Sequence, residues 1–139
     1  APPALRVAHE RGSLPVRMDP SHLHQVVWNL CDNALKYGAP DAKGTHIAIQ
    51  TGRVSSNGRP YVQVSDFGAG IDEQDAERIF EPFFTSHHGG TGLGLFIARQ
   101  LCECSGAALV CLPEGPGAVF RIVFTDPQRW TTERHHEIR

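Results

Sequence analysis

The sequence has no long hydrophobic run, no strong net charge and no set of metal-ligating residues at regular spacing. Its formal net charge is −2 over 139 residues, so no global basic surface draws it to nucleic acid or to anionic lipid. No stretch approaches the roughly 20 apolar residues of a membrane span. The first residues lack the apolar core of a signal peptide. We therefore expect a soluble piece that binds no nucleic acid, although a longer protein containing it can still carry a membrane anchor.

The spacing of the cysteines does not suggest a metal site. The four cysteines are Cys31, Cys102, Cys104 and Cys111. Two of them form a C-x-C pair that is too close and too isolated for a zinc knuckle. We expect buried or half-buried free thiols, typical of a reducing compartment. The doublets His87-His88 and His135-His136 have no partners at ligand spacing either, and solvated side chains are expected there, with weak metal binding as the alternative.

The residues that are present indicate one globular domain that mixes helices and strands. Apolar residues make up 40% and charged residues 20% of the chain, an ordinary balance for a packed core. The patterns predict strands over 5–9, 15–18, 46–54, 61–66, 107–112 and 117–124, a helix opened by Asp19-Pro20-Ser21 and ended by Gly38, one or two helical turns over 73–80, and a helix over 93–104. This order predicts an α+β fold: a two-layer α/β sandwich whose mixed, mostly antiparallel sheet carries its helices on one face.

The first helix carries a polar stripe beside its apolar stripe. Asn29, Asn33 and Lys36 follow at i, i+4 and i+7 and therefore share one face. An asparagine carbonyl at the rim of a pocket can ligate Mg²⁺, and a lysine can neutralise phosphate charge. The alternative is that these side chains are simply half-exposed on the helix surface.

Two glycine-containing segments follow, each next to a predicted element. Asp66 ends a strand before Gly68 and Gly70, so its carboxylate can accept a hydrogen bond from an exocyclic amine such as adenine N6; a plain turn is the alternative. Residues 89–95 (GGTGLGL) open the last helix, where backbone N–H groups and the helix dipole favour a phosphate. They fit neither the Walker A loop nor the dinucleotide-binding pattern. The aromatic run over 80–84 lies between these segments and could anchor a lid.

Together these segments resemble the four sequence boxes of sensor histidine kinases. Residues 24–38 (HQVVWNLCDNALKYG) resemble the N box, 66–71 (DFGAGI) the G1 box, 80–86 (FEPFFTS) the F box and 90–98 (GTGLGLFIA) the G2 box. The resemblance covers about 19–124 and is closest to the nitrogen-regulation and type IV pilus sensor kinases. It implies the Bergerat ATP-binding fold, with ATP and Mg²⁺ as the ligands.

The resemblance also implies roles for individual residues. Asn33 would be the Mg²⁺ ligand and, with Asn29, would act in catalysis. Asp66 would hold adenine, and residues 72–91 would form the ATP lid. The residues expected to bind nucleotide are Asn29, Asn33, Lys36, Tyr37, Asp66, Gly68, Gly70, Ile71, Phe80, Phe83, Thr85, Gly90, Thr91, Gly92, Leu93 and Gly94. His87 stands where many members have lysine, so its contact with phosphate would require a protonated imidazole.

One position favours a kinase over a hydrolase. ATP-hydrolysing relatives carry a general-base glutamate four residues before the Mg²⁺ asparagine, where this chain has Asn29, whose amide takes no proton from water. Asp32 points about 100° away from Asn33 on the helix and is not expected to replace it. We therefore expect transfer of the γ-phosphoryl group to a histidine. His9-Glu10 superficially fits a phosphoacceptor motif, but it lies in a strand-like segment, so we expect the accepting histidine on a separate domain. A nucleotide-binding module and a weak ATPase are the alternatives.

The resemblance implies a larger context for the chain. Residues 1–125 are expected to form the catalytic domain and 126–139 a tail. The expected partners are the protein's own dimerisation and phosphoacceptor domain and a response regulator. We expect a cytoplasmic domain of a membrane-anchored homodimer. The isolated domain should show little autophosphorylation without its phosphoacceptor domain.

Overall fold

The computed structural model describes residues 4–9, 12, 14–84, 91–113 and 115–126. Within these ranges the chain forms two α-helices and five strands, together with two short 3₁₀ turns. In chain order the elements are β1 (Ala4–Ala8), α1 (Pro20–Tyr37), β2 (Thr45–Arg53), β3 (Pro60–Ser65), the 3₁₀ turns Glu73–Asp75 and Arg78–Phe80, α2 (Gly94–Cys104), β4 (Ala108–Leu112) and β5 (Val119–Val123). The predicted tail falls outside the described residues from position 127 onward.

The five strands form one mixed sheet in the order β1-β2-β3-β5-β4. β1 pairs with β2 in parallel, and the other three pairs of neighbours are antiparallel. The strands predicted over 46–54 and 61–66 form one hairpin, β2–β3, and those predicted over 107–112 and 117–124 form a second, β4–β5. β5 lies next to β3 and runs antiparallel to it, so the end of β3 lies beside the start of β5. This pairing brings Ser65 opposite Val119.

Both helices pack on the same face of the sheet, which confirms the two-layer sandwich. The core between the layers is formed by Val26, Leu30 and Ala34 of α1, Ala98 and Cys102 of α2, and Val64, Leu109, Phe120 and Ile122 of the sheet. The apolar stripe of α1 recurs every three or four residues and thus faces the sheet along the whole helix. Burial of this stripe turns the polar face of α1 toward the rim of the sandwich.

The opposite face of the sheet is lined by polar and aromatic side chains. Arg121 donates to Gln63 Oε1 through Nε (2.9 Å) and Nη2 (2.7 Å), and its guanidinium lies 4.1 Å from the ring centroid of Tyr61. Gln50 Nε2 donates to the Tyr61 hydroxyl at 3.1 Å. These cross-strand contacts satisfy the polar groups of a face that no described helix covers.

The predicted strand over 15–18 is wrong. Residues 14–17 have no regular secondary structure, although Val16 and Met18 pack against the core. Pro15 lacks a backbone N–H and weakens any ladder at this position. β1 instead pairs in parallel with β2, and the intervening segment leads into α1. There Asp19 accepts from Ser21 N (2.8 Å) and Ser21 Oγ (2.6 Å), which confirms the predicted helix start.

The cysteines are free thiols, and three of them are at least partly buried. Burial raises the pKa of Cys31 and of Cys111, and it raises the pKa of Cys102 to about 12. Cys104 is exposed, contrary to expectation, because it lies about 200° around α2 from the buried Cys102. Within the described ranges, no helix is both long enough and apolar enough to cross a membrane.

Candidate functional site

A cavity opens between the polar face of α1, the N-terminus of α2 and the carboxyl end of β3. It is lined by Asn29, Asp32, Asn33, Lys36, Tyr37, Asp66, Gly70, Ile71, Ile79, Phe84, Thr91, Gly92, Gly94, Leu95 and Ala118. Ten of the predicted site residues are in this set, and they come from segments that are far apart in the sequence. The fold therefore brings the polar face of the first helix, the strand-end carboxylate and the glycine-rich segment to one site.

Helix α1 places four of the predicted residues at the cavity. Asn29, Asn33 and Lys36 share one face, as their spacing predicts, and Tyr37 follows at the end of the helix. Gly38 ends the helix, and its N–H donates to the Ala34 carbonyl oxygen at 2.9 Å. Because this side of α1 lies at the rim of the sandwich, its polar groups are accessible from the cavity.

Asn29 connects the two helices across the cavity. Its Nδ2 donates to the carbonyl oxygen of Gly94, the first residue of α2, at 3.1 Å. Its Oδ1 accepts from Gln25 Nε2 at 2.7 Å. The side chain is therefore oriented at both ends, and its amide nitrogen faces the glycine-rich wall.

Asp32 lines the same cavity as Asn33, which corrects the expectation that it points away. Its carboxylate lies 3.0 Å from the Lys36 ammonium, one helical turn further along α1. This hydrogen bond and charge raise the pKa of Lys36. The ion pair draws the flexible Lys36 side chain toward Asp32, so the two charges lie together at the wall of the cavity.

Asp66 is the buried charged residue of the site, with 5% of its surface exposed. Its Oδ1 accepts from Gly68 N at 2.9 Å and from Ala118 N at 3.3 Å. Gly68 thus supports the carboxylate rather than lining the cavity. A Cβ on Gly38 would lie 2.5 Å from Asp66 Cγ, and one on Gly117 would contact Asp66 as well. The backbone can close around this carboxylate only because both positions are glycine.

The glycine-rich segment forms the opposite end of the cavity. Thr91, Gly92 and Gly94 line it, whereas Leu93 does not, and the Thr91 hydroxyl accepts from Leu93 N at 3.3 Å. α2 begins at Gly94, so the first N–H groups of this helix lack intrahelical partners. With the helix dipole, these donors favour an anion at this end.

The aromatic run divides between the core, the solvent and the cavity. Phe80 is 4% exposed and packs edge-to-face on Phe120, with ring centroids 6.1 Å apart. Phe83 is 73% exposed. Neither lines the cavity, although both were predicted site residues. Phe84 lines it instead, and the Arg78 guanidinium lies 5.0 Å from the centroid of its ring. Of these three rings, Phe84 is therefore the one that reaches the site.

The residues that line the cavity but were not predicted from the sequence are mostly apolar. Ile79, Phe84, Leu95 and Ala118 line the cavity together with Asp32. Phe84 belongs to the aromatic run over 80–84 and Leu95 to the glycine-rich segment over 89–95, so the sequence indicates both segments although not these two residues. Ala118 reaches the cavity only because β5 pairs with β3, and no local pattern reveals that pairing. The predicted residues Thr85 and Gly90, together with His87, lie outside the described residues.

The donor set at the cavity fits a metal ion that arrives with phosphate. Among the described residues, no group of three or more His, Cys, Asp and Glu side chains could hold a metal on its own. The residues of α1 that line the cavity include Asn33, with an amide oxygen, and Asp32, with a carboxylate. Mg²⁺ takes oxygen ligands and is commonly held by one or two protein groups plus substrate phosphates.

His9, which superficially fits a phosphoacceptor motif with Glu10, follows β1 and lies on no helix.

Comparison with known proteins gives consistent matches over most of the chain. Residues 18–128 match the family described as histidine kinase-, DNA gyrase B-, and HSP90-like ATPases. The chain is 37% identical over 119 residues to the sensor protein kinase PilS of Pseudomonas aeruginosa, covering 85% of this chain and 22% of PilS. It therefore spans about a fifth of the length of that relative.

Solved structures match the fold as well. The mycobacterial sensor histidine kinase MprB is 30% identical with a TM-score of 0.71, covering 87% of this chain and 80% of that one. Full-length ShkA, in complex with AMPPNP, is 25% identical with a TM-score of 0.70, covering 88% of this chain and 26% of that one. The chain therefore belongs to the family of histidine kinase-, DNA gyrase B-, and HSP90-like ATPases, as an ATP-binding catalytic domain of the sensor histidine kinase type.

Proposed function

We propose that the cavity binds ATP with Mg²⁺ and presents its γ-phosphoryl group to a histidine on a separate dimerisation domain. The proposal rests on one observation: the two ends of the cavity carry different polar groups. Asp66 is a buried acceptor at one end, and the Asn29–Asn33–Lys36 face meets the N-terminus of α2 at the other. An adenine fits the first end, because its exocyclic amine donates a hydrogen bond, and a triphosphate fits the second.

Each residue has a defined task in this proposal. Asp66 accepts from adenine N6, and Gly70 and Ile71 form the wall beside the base. Thr91, Gly92 and Gly94 bind phosphate oxygens through the backbone, while Lys36 and the amide nitrogen of Asn29 add donors. Asn33 offers its carbonyl oxygen to Mg²⁺, which neutralises phosphate charge. On the basis of the resemblance, we extend the catalytic domain over 1–125 and assign Thr85 and Gly90 to nucleotide binding, with Gly90 as a contact to phosphate.

The proposed reaction is a transfer rather than a hydrolysis. An imidazole nitrogen attacks the γ-phosphorus, a P–N bond forms, the bond to the β–γ bridging oxygen breaks, and ADP leaves. Positioning and charge neutralisation supply most of the acceleration of such a step. Asn29 supports this choice because its amide oxygen is held by Gln25 and its nitrogen by Gly94. A neutral amide held in this way takes no proton from water.

The partners follow from the same proposal. The phosphohistidine domain is the protein's own dimerisation domain, and a response regulator receives the phosphoryl group from it. PilS and MprB are named as sensor kinases. On the basis of the resemblance to that group, we place this chain in the cytoplasmic part of a membrane-anchored homodimer. In line with the closest resemblance, we place the regulator among activators of pilus or nitrogen-regulated transcription.

Isothermal titration calorimetry tests the binding part of the proposal. The chain is titrated with ATP and, separately, with ADP at saturating Mg²⁺, beside an Asn33→Ala variant and a His24→Ala control on the exposed side of α1. We expect ATP binding by the parent chain and the control, and binding by Asn33→Ala that is at least about tenfold weaker in Mg²⁺. An absence of heat with both ATP and ADP in the parent chain would contradict the proposal.

A further inference from the structure

A short chain of side-chain hydrogen bonds leads from the outside of α1 to the glycine-rich wall of the cavity. Gln25 Nε2 donates to Asn29 Oδ1 at 2.7 Å, and Asn29 Nδ2 donates to the Gly94 carbonyl oxygen at 3.1 Å. Gln25 is exposed and does not line the cavity, whereas Asn29 and Gly94 both line it. Among the described residues, Asn29 is therefore the residue that links Gln25 to the site by a hydrogen bond.

The direction of this chain is fixed by its inner end. A backbone carbonyl can only accept, so the Asn29 atom that faces Gly94 must be the amide nitrogen. The Asn29 oxygen then faces Gln25, which has to present its own amide nitrogen as the donor. Asn29 Nδ2 carries two hydrogens, and the Gly94 carbonyl oxygen takes one of them, which leaves the second for an anion.

We propose that Gln25 is a positioning residue for the binding of the triphosphate. It holds the Asn29 carbonyl oxygen away from the cavity and thereby keeps the N–H groups of Asn29 directed at the phosphate end. Without Gln25 the remaining hydrogen bond described for this amide is the 3.1 Å one to the Gly94 carbonyl oxygen, and whenever that bond opens the amide can turn its oxygen toward the phosphates, where it repels them. The inference rests on the proposed function, since it assumes that a nucleotide occupies the cavity.

The same geometry separates the tasks of the two asparagines. The oxygen of Asn29 is engaged by Gln25, so Asn29 serves as a donor to anions and not as a metal ligand. Asn33 lies one turn further along α1 and lines the cavity with its amide. The metal-ligating carbonyl of the pair is therefore that of Asn33.

A purely structural role for Gln25 makes a different prediction. A glutamine and an asparagine four residues apart stabilise an isolated helix slightly. Loss of such a pair would lower the melting temperature and affect every ligand of the cavity alike. A positioning role affects the triphosphate selectively and disappears when Asn29 is absent. A double-mutant cycle with two ligands separates the two roles.

The experiment compares the parent chain with Gln25→Met, Asn29→Ala and the double variant, each titrated calorimetrically with ATP in Mg²⁺ and with adenosine. His24→Met is the control, since it makes a matched change at an exposed neighbour on α1. We expect Gln25→Met to weaken ATP binding about three- to tenfold. Adenosine binding should change by less than about twofold, and Gln25→Met should have no further effect on ATP in the Asn29→Ala background.

Several results would overturn the inference. Unchanged ATP affinity in Gln25→Met would show that Asn29 needs no restraint. Equal losses for ATP and adenosine, or a full effect of Gln25→Met in the Asn29→Ala background, would indicate a general role in the fold. If the parent chain binds neither ATP nor adenosine, the proposed function itself fails. If instead the parent chain binds ATP and Gln25→Met has the same ATP affinity, the proposed function stands and the inference about Gln25 fails.

Discussion

The backbone N–H of Phe83 donates to the carbonyl oxygen of Gly92 at 2.9 Å, which joins the two sides of the segment between them. Both residues have a positive φ, 68° for Phe83 and 71° for Gly92. A Cβ on Gly92 would lie 2.5 Å from the Phe83 carbonyl carbon. The junction therefore requires glycine at position 92 for two independent reasons, its backbone conformation and the space around it.

Replacement of this glycine should open the phosphate end of the cavity. We expect Gly92→Ala to weaken Mg²⁺–ATP binding at least about tenfold, because the positive φ alone costs about 1–2 kcal/mol and the contact with Phe83 adds to it. Calorimetry measures the effect. Gly58→Ala is the control, since Gly58 also has a positive φ, 72°, but its Cβ would meet nothing within 4 Å. Equal ATP affinity in the two variants would contradict the assigned contact.

Asp66→Asn should change the preference of the cavity for the base. The asparagine oxygen can still accept from Gly68 N and Ala118 N, so the fold should be retained. Its amide nitrogen would then replace the second carboxylate oxygen and face the adenine amine with a donor. We expect ATP binding to weaken by about 1.5–3 kcal/mol, the value of a hydrogen bond to a charged group.

Inosine triphosphate provides the matched comparison for this variant, since it has a carbonyl acceptor where adenine has its amine. The ratio of the ATP and inosine triphosphate dissociation constants should shift toward inosine triphosphate in Asp66→Asn. If both nucleotides lose the same affinity, Asp66 shapes the pocket and does not contact the base.

Asp32→Asn should strengthen ATP binding when Mg²⁺ is absent. The substitution removes a negative charge from the cavity wall and releases Lys36, whose pKa then falls toward its ordinary value. The pair is largely exposed, with side-chain exposures of 59% and 43%, so we expect only about a two- to fivefold gain. Calorimetry in EDTA measures it. Asp75→Asn, which breaks the Arg78 ion pair outside the cavity, should have no such effect.

The sequence predicts the site better than it predicts the course of the chain before α1. The helical spacing of Asn29, Asn33 and Lys36 determines which face they share, and the apolar stripe determines which way that face turns. The prediction that Asp32 points away from Asn33 is wrong, because helix geometry gives only the direction of Cβ. The ion pair with Lys36 and the width of the cavity decide where the carboxylate lies.

The remaining features depend on contacts between distant segments. Pro15 is a local signal against the predicted strand over 15–18, but the parallel pairing of β1 with β2 depends on residues about 40 positions apart. Likewise, Phe84 reaches the cavity, whereas Phe80 packs on Phe120 of β5 and Phe83 is exposed. Short-range periodicity carries no information about either outcome.

Stability should fall at alkaline pH through the buried thiols. The folded pKa of Cys102 is about 12, above its usual 9.0, so the folded state holds a proton that the unfolded state releases. This stabilising contribution is complete below about pH 9 and is lost as the pH rises toward 12. Chemical denaturation from pH 8 to 11 measures the slope. Cys102→Ala should flatten it, whereas Cys104→Ala, at the exposed end of α2, should leave it unchanged.

The most direct measurement mixes the chain with the separately prepared dimerisation domain and γ-labelled ATP in Mg²⁺, and follows both protein-bound label and free phosphate. We predict label on the histidine of the dimerisation domain, none on the chain alone, and only traces of free phosphate. Sustained phosphate release by the chain alone, with an unlabelled dimerisation domain, would contradict the account and identify a hydrolase.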